Sequence, residues 1–186
     1  MEQLTEVTIE AVELAAWAAE ALEVQAVAFG LTADEVAVRL QIVRRHALQP
    51  GVLAFGAFSG QRLVGFGYGM PNRREHWWST VIEPHLERNG YDDWLDGTFA
   101  VTELHVLPGF QGQGVGTRLI RSLTEGSGAR RSILSAIDAE TPARRLYRSL
   151  GYRDLARMVL FPNTVRPYAV MGAQLPLGQS QSANSR

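Results

Sequence analysis

Residues 99–119 read FAVTELHVLPGFQGQGVGTRL, and this stretch predicts a strand, a glycine-rich turn and the start of a helix. Its β-branched, aromatic and aliphatic residues favour a strand over Phe99–Leu107, which Pro108-Gly109 ends. Glycines then alternate at positions 112, 114 and 116. Such glycines can adopt a positive φ and direct several backbone N–H groups towards one anion, and the N-terminus of the following helix adds unpaired N–H groups. The residues therefore predict a diphosphate site built from main-chain atoms.

The glycine spacing distinguishes between classes of nucleotide-binding loop. No lysine accompanies the glycines, so the loop is not a nucleoside triphosphate cradle of the Walker type. The dinucleotide-binding fingerprint requires Gly-x-Gly-x-x-Gly, whereas this chain has Gly-x-Gly-x-Gly, although Asp138 lies near the position expected for the acidic residue. A nucleotide-dependent oxidoreductase therefore stays an alternative, opposed by the spacing and by the hairpin predicted upstream.

Two blocks of sequence resemble the GNAT superfamily, the acyl-CoA-dependent N-acetyltransferases. The pyrophosphate loop of that family has Val-x-Pro, two residues, Gln or Arg, two residues, Gly, one residue, and Gly or Ala. Residues 106–116 (VLPGFQGQGVG) match this pattern at every fixed position. Residues 143–152 (ARRLYRSLGY) are similar to the second family block, Ala-x-x-Leu-Tyr-x-x-x-Gly-Phe/Tyr. The two blocks follow in the family's order, so the chain is identified as a member of this superfamily.

The resemblance implies an α/β fold of the α+β kind. We expect one domain over residues 1–177, with a mixed, mostly antiparallel sheet of six to seven strands. Helices flank this sheet, which is splayed centrally at the acyl-CoA site. Residues 178–186 are polar and low in complexity, which predicts a disordered tail.

Local patterns predict the elements around the loop. Helical spacing predicts a helix over Val12–Phe29, in which Trp17 and Phe29 are expected to belong to the core. A capping box at Thr32–Glu35 predicts a second helix that ends near Leu48. The remaining expected elements are strands at 52–58, 62–70, 132–137, 152–161 and 167–175, and helices at 79–88, from 117 to about 123, and from Pro142. Alternating glycines at 65, 67 and 69 predict room for a helix packed on the second of these strands.

Composition excludes several classes of protein. With no cysteine and four histidines without metal-binding spacing, we expect no disulfide and no metal site. No apolar run is long enough to span a membrane, and the N-terminus has no basic region typical of a secretory signal. The basic residues are not interleaved with aromatic ones, so no nucleic-acid surface is expected. The cytoplasm is predicted by default, and a homodimer is left open.

Charge is distributed unevenly along the chain. Residues 1–38 hold eight acids and no arginine, whereas five acids and eleven arginines follow from Glu103 to the C-terminus. This asymmetry is compatible with an acceptor side for cations and a cofactor side for phosphates, or with simple solvation of helix faces. Residues 71–97 exceed the family's minimal plan and are rich in acids and aromatics. This insertion either covers the acceptor site and receives a cationic amine, or serves as an interface or packing flap.

The resemblance assigns the cofactor-binding residues. It implies acetyl-CoA as co-substrate, with the backbone of Leu104, His105 and Val106 at the acyl group. The loop would hold the pyrophosphate through Gln111, Gly112, Gln113, Gly114, Val115, Gly116 and Thr117. Tyr147 matches the family tyrosine whose hydroxyl lies near the thioester sulfur and protonates the thiolate, although a helix tyrosine packed in the core is the alternative. Glu140 stands where the family often has asparagine. A carboxylate cannot donate the hydrogen bond that the asparagine amide would give to the cofactor.

Glu103 and His105 are the candidates for the general base. They lie two residues apart on one strand, so both side chains point to the same face. Either can take the proton from an ammonium, directly or through water.

We therefore expect an N-acetyltransferase that moves an acetyl group from acetyl-CoA to a primary amine in a ternary complex. A small cationic acceptor is favoured. The alternatives are acetylation of a protein N-terminus or lysine, and a non-catalytic acyl-CoA-binding sensor or scaffold. The sequence leaves open the identity of the amine, the preferred acyl chain and the oligomeric state.

Overall fold

The computed structural model describes residues 6–178, which form five α-helices and a seven-stranded sheet. The strands are β1 (Val7–Ala11), β2 (Leu53–Ser59), β3 (Arg62–Pro71), β4 (Thr98–Val106), β5 (Arg131–Ile137), β6 (Arg153–Val159) and β7 (Tyr168–Gln174). The helices are α1 (Leu14–Phe29), α2 (Ala33–His46), α3 (Trp77–Arg88), α4 (Val115–Ser127) and α5 (Pro142–Ser149). The predicted elements are present, with bounds that differ by a few residues. Of the predicted tail, Gly178 donates its N–H to the carbonyl of Leu150 (3.1 Å), and residues 179–186 lie outside the described part.

The sheet is mixed and mostly antiparallel, which confirms the predicted fold class. Its strand order is β1-β2-β3-β4-β5-β7-β6. The pairs β1–β2, β2–β3, β5–β7 and β6–β7 are antiparallel. Strands β4 and β5 are parallel, with Thr98–Ala100 paired to 131–133.

The chain divides into two compact units, and strand β4 belongs partly to each. The first unit comprises the chain up to Met70 together with Val101–Ser127. The second comprises Pro71–Ala100 and the chain from Gly128 onwards. The single domain expected over residues 1–177 stays a prediction.

Glycines in strand β3 allow helix α4 to approach the sheet of the first unit closely. A Cβ atom added at Gly65 would lie 3.4 Å from the Leu119 side chain, and one added at Gly67 would lie 3.0 Å from the Leu123 side chain. Larger residues at these positions would push the helix away, so the prediction of a helix on this face is confirmed. Helix α4 is thereby held close to the sheet, and so is the glycine-rich loop that leads into it.

Residues 71–97 contribute to the core of the second unit. The side chains of Ile82, Leu86, Trp94 and Leu95 are buried there, together with apolar residues of β5, β6 and β7. Such burial fits the interpretation of residues 71–97 as a packing flap. The interpretation that this segment covers the acceptor site stays a prediction.

Glu83, Asp93 and Asp96 of this segment already have cationic partners. The Arg74 guanidinium contacts Glu83 and Asp96, each at 2.6 Å. Hydrogen bonds from Arg74 hold the pKa of Asp96 below its usual range. Arg131 binds Asp93 (2.8 Å) and lies 4.7 Å from the centre of the Trp94 ring. These groups therefore stabilise the second unit, and an incoming amine would have to compete with arginines for them.

Gly172 in β7 tests this packing. Its substitution by alanine would place a Cβ atom 2.6 Å from the Trp94 ring and 2.7 Å from Leu155. Because both neighbours are fixed in the core, we expect Gly172→Ala to lower the free energy of unfolding by about 1–3 kcal/mol in chemical denaturation. Gly109→Ala is the matched control, since nothing lies within 4 Å of its added Cβ. Equal stability of the two variants would contradict the described packing of Trp94.

Candidate active site

The turn between β4 and α4 presents a row of backbone N–H groups without partners. After a short 3₁₀ turn at Pro108–Phe110, Gly112 and Gly114 adopt φ values of +73° and +79°. Helix α4 begins at Val115, and the N–H of Arg118 donates to the carbonyl of Gly114 (3.0 Å). Among residues 6–178, no acceptor receives a hydrogen bond from the six N–H groups of residues 112–117. The left-handed conformation predicted for the glycines is found at two of the three positions, because Gly116 lies inside the first turn of the helix.

Two glutamine side chains fix the shape of this loop. The Nε2 of Gln111 donates to the carbonyl of Val106 (2.9 Å), and the Nε2 of Gln113 donates to the carbonyl of Gly109 (3.0 Å). The loop residues 111–114 are exposed. Both amide NH₂ groups therefore bind the loop's own backbone, which holds the unpaired N–H groups in place before any ligand binds.

The two candidate bases on strand β4 contact each other. The His105 Nε2 lies 2.6 Å from the Glu103 Oε2, which confirms that both side chains share one face of the strand. Their side chains are 10% and 24% exposed, respectively. A carboxylate oxygen has no proton to donate, so Nε2 of His105 is the donor and Glu103 is the acceptor of this hydrogen bond.

Residues from other elements complete a polar cluster around Glu103. The Nε2 of Gln25 on α1 lies 3.4 Å from the Glu103 Oε2, and the Arg39 guanidinium on α2 lies 3.8 Å from its Oε1. Burial and the negative charge of Glu103 raise the pKa of Tyr68 on β3. The Tyr68 hydroxyl lies 3.0 Å from the His46 Nδ1.

Aromatic rings enclose the imidazole of His105. The Phe66 ring centre lies 5.6 Å from that of the imidazole, and Phe29 meets the imidazole edge-on at 5.7 Å. Phe29 is 49% exposed, so its predicted place in the core is wrong: it is the last residue of α1, next to the left-handed Gly30. Trp17 does pack on the core, edge-on against Phe58. The structure thus places the half-exposed apolar ring of Phe29 beside His105, which in turn contacts the Glu103 carboxylate.

Tyr147 belongs to the second unit, whereas the loop, Glu103 and His105 belong to the first. Helix α5 begins as predicted, with the Thr141 hydroxyl accepting a hydrogen bond from the N–H of Arg144 (3.2 Å). The Tyr147 side chain is buried, and its ring centre lies 5.7 Å from that of Tyr152. The packed position that sequence offered as an alternative is therefore observed, and its proximity to a thioester sulfur stays a prediction.

Glu140, the departure from the family pattern, forms an ion pair. Both carboxylate oxygens accept hydrogen bonds from the Arg148 Nη1 (2.8 and 3.0 Å), which lowers the pKa of Glu140.

The described residues contain no group of three or more histidine, aspartate or glutamate side chains arranged to bind a metal. No helix in residues 6–178 has the length and apolar character needed to cross a bilayer.

Comparison with protein families supports the interpretation of the loop. Residues 52–154 match the family described as an acetyltransferase (GNAT) domain, and this segment is more than half of the 186 residues. The chain belongs to the GNAT family. Its glycine-rich loop and its tyrosine helix both lie within the matched segment.

Relatives and solved structures within this family extend the comparison. A GCN5-like protein acetyltransferase of Mycobacterium tuberculosis is 34% identical over 127 residues, which are 64% of this chain and 62% of that protein. Thialysine N-epsilon-acetyltransferase of Mus musculus is 31% identical over 68 residues, which are 35% of this chain and 40% of that protein. The structure of yncA from Salmonella typhimurium, solved with acetyl-CoA, has a TM-score of 0.64 at 19% identity and covers 96% of this chain and 98% of that one.

The chain spans less than two thirds of the length of these two curated relatives. The structural match has low sequence identity and bears on the fold alone. Family membership is therefore shown, while the acceptor of this protein has to be argued from its own residues.

Proposed function

We propose that this protein transfers an acetyl group from acetyl-CoA to a primary amine. The observation that carries the proposal is the turn into α4, in which six successive N–H groups, those of residues 112–117, have no acceptor within the described chain. Backbone N–H groups at a helix N-terminus bind phosphate oxygens through hydrogen bonds and through the positive end of the helix dipole. Membership of an acetyltransferase family supports acetyl-CoA as the ligand whose paired phosphates fit this loop.

The loop residues have separate tasks in holding the co-substrate. The amides of Gly112–Thr117 bind the pyrophosphate, and Gln111 keeps them in place through its bond to the Val106 carbonyl. The backbone of Leu104, His105 and Val106 lies at the acyl group. The Arg118 Nη1 donates to the carbonyl of Val7 (2.8 Å) and so anchors the first turn of α4 to β1.

Glu103 is the group that removes the proton from the acceptor amine. An ammonium has no lone pair, so it must lose a proton before its nitrogen can attack the thioester carbonyl. The Glu103 Oε1 accepts no hydrogen bond within the described part of the chain. The Arg39 guanidinium lies 3.8 Å from this oxygen, which is too far for a hydrogen bond. His105 supports this base by donating to Oε2. The proton thus passes from nitrogen to Oε1, while the electrons of the broken N–H bond remain on nitrogen as the attacking lone pair.

Tyr147 donates a proton to the sulfur as the C–S bond breaks. A phenol is protonated at neutral pH and can donate to a thiolate. In this assignment the Tyr147 hydroxyl becomes a phenolate when the sulfur leaves as the CoA thiol. The nitrogen of the new amide then releases its second surplus proton, which restores Tyr147 through water, and Glu103 returns the first proton to solvent. Each turnover thus yields one amide, one thiol and one proton.

A small cationic amine is the favoured acceptor. The partly exposed carboxylate of Glu103 supplies negative charge, and the half-exposed Phe29 ring supplies an apolar surface beside it. Residues 1–38 add an excess of acids. The relative of Mus musculus is named for a small amine, which favours this class, whereas the relative of Mycobacterium tuberculosis is named a protein acetyltransferase. A protein amine is therefore the second candidate.

Thiol release from acetyl-CoA with a panel of amines tests the function. The panel contains phenethylamine, 1,4-diaminobutane, lysine, a peptide with a free N-terminus, and an N-blocked peptide with one lysine. We expect the small amines to give the highest kcat/KM, because a single carboxylate and one ring suit a compact cation. Faster peptides would favour the protein acceptor instead. Release no faster than the amine-free blank would contradict catalysis and favour an acyl-CoA-binding module.

Gly114→Ala tests the pyrophosphate loop, with Gly60→Ala as its matched control. Both glycines have a positive φ, +79° and +61°, and nothing lies within 4 Å of an added Cβ at either position. Both variants should lose about 1 kcal/mol of stability through backbone strain. Only Gly114→Ala should weaken CoA binding, by about tenfold in isothermal titration, because it redirects N–H groups that bind a charged ligand. Equal CoA affinity of the two variants would contradict the role of the loop.

Tyr147→Phe tests the proton donor. We expect kcat to fall about 100-fold, the usual contribution of a positioned acid, while the affinity for CoA stays close to that of the wild type. Steady-state kinetics with the fastest amine of the panel provide the measurement. Tyr152→Phe is the control, since the Tyr152 hydroxyl binds the Ser132 Oγ (2.7 Å) and its loss should affect stability more than kcat. An unchanged kcat in Tyr147→Phe would reject the acid role.

A further inference from the structure

Gln25 is a polar residue on the buried face of helix α1. Its side chain is 1% exposed. The other buried residues of this helix are apolar: Leu14, Ala18, Ala21, Leu22 and Val24. Three of them precede Gln25 by seven, four and three residues, so Gln25 occupies a position of the apolar stripe that packs on the core.

Half of the Gln25 amide has no partner. Its Nε2 lies 3.4 Å from the Glu103 Oε2, but its Oε1 accepts no hydrogen bond from the residues that the structure describes. Burying a carbonyl oxygen without a donor destabilises the folded state. An apolar side chain of similar volume would avoid this cost, so folding stability alone does not account for a glutamine at this position.

The groups that face Glu103 show what the amide does. His105 from β4 and Gln25 from α1 both direct an N–H at Oε2. Arg39 from α2 faces Oε1 at 3.8 Å, and the buried Tyr68 from β3 lies within the electrostatic influence of Glu103. The Tyr68 hydroxyl in turn contacts His46 from α2. Two donors on one oxygen fix the rotation of the carboxylate and leave the other oxygen available.

We propose that Gln25 is a positioning residue that holds Glu103 ready to take the proton of the acceptor amine. This inference rests on the proposed function, in which Glu103 Oε1 is the proton acceptor. The Nε2 donor of Gln25 stabilises the charged carboxylate and restrains its rotation. Without Gln25 the carboxylate rotates more freely, which lowers kcat and leaves the binding of acetyl-CoA unchanged.

Gln25→Leu and Gln25→Met, made in the full chain, test this role. The readouts are kcat for the fastest amine of the panel, the KM for acetyl-CoA and the Tm. We expect kcat to fall about tenfold, part of the contribution of a general base. In a Glu103→Gln background the same substitutions should lower kcat no further, because Gln25 acts through Glu103. The KM for acetyl-CoA should not change, and the Tm should stay equal or rise because the unpaired oxygen is gone. Gln41→Leu, on the exposed face of α2, is the matched control and should behave as the wild type.

Each other outcome would overturn the inference. A wild-type kcat in both variants would show that Gln25 does not act on Glu103. A lower kcat with a lower Tm, and the same fold loss in the Glu103→Gln background, would show a merely structural role. Glu103→Gln alone separates the proposed base from the role of Gln25. If Glu103→Gln retains wild-type kcat, the proposed base is wrong as well. If it loses activity while both Gln25 variants keep wild-type kcat, only the role of Gln25 is wrong.

Discussion

The organisation of the proposed site depends on backbone N–H groups, those of residues 112–117, that have no acceptor within the described part of the chain. A buried N–H group without a partner is costly, but the residues at 111–114 are exposed and water can satisfy them. Two left-handed glycines create the turn, and two glutamine side chains hold it. An anion that binds there replaces water without requiring the loop to fold first, which reduces the entropy cost of binding.

The position of this loop depends on the close packing of helix α4 within the first unit. Gly65 and Gly67 let Leu119 and Leu123 approach strand β3, and the same strand carries Tyr68 towards Glu103. The N-terminus of α4 and Glu103, the base we propose on β4, are therefore positioned by one set of contacts. A change that moved the helix outwards would disturb both the glycine-rich loop and the neighbours of Glu103.

Many arginines of the C-terminal half have structural partners, so the charge gradient is less available for ligands than the sequence indicates. Arg144 is fully buried and binds Asp138 (3.0 Å) and Asp154 (2.6 Å). Burial raises the pKa of Asp138, but hydrogen bonds from Arg157 and from the N–H of Met158 outweigh this and hold it below its usual range. These pairs stabilise the second unit, a role that differs both from a phosphate-binding surface and from the simple solvation of helix faces that the sequence left open.

Most of the fold could be predicted from short-range sequence patterns, whereas contacts between residues distant in the sequence could not. The capping box at Thr32 and the start of α5 at Thr141 depend on residues three positions apart, and both are found. That Glu103 and His105 share one face followed from the alternation of a strand, whereas their 2.6 Å contact was not predicted. Gln25 lies 78 positions from Glu103 in the sequence. The sequence feature that could have indicated its role is a polar residue within the apolar stripe of a helix. The buried packing of residues 71–97 also depends on distant strands, so composition alone left two interpretations open.

Hydrogen–deuterium exchange of the backbone amides with and without CoA tests the central claim most directly. The account predicts rapid exchange of the N–H groups of residues 112–117 in the free protein, because none has an acceptor among residues 6–178. It predicts marked protection of the same groups when CoA is bound. Slow exchange in the free protein, or saturation with CoA without any protection of this loop, would contradict it.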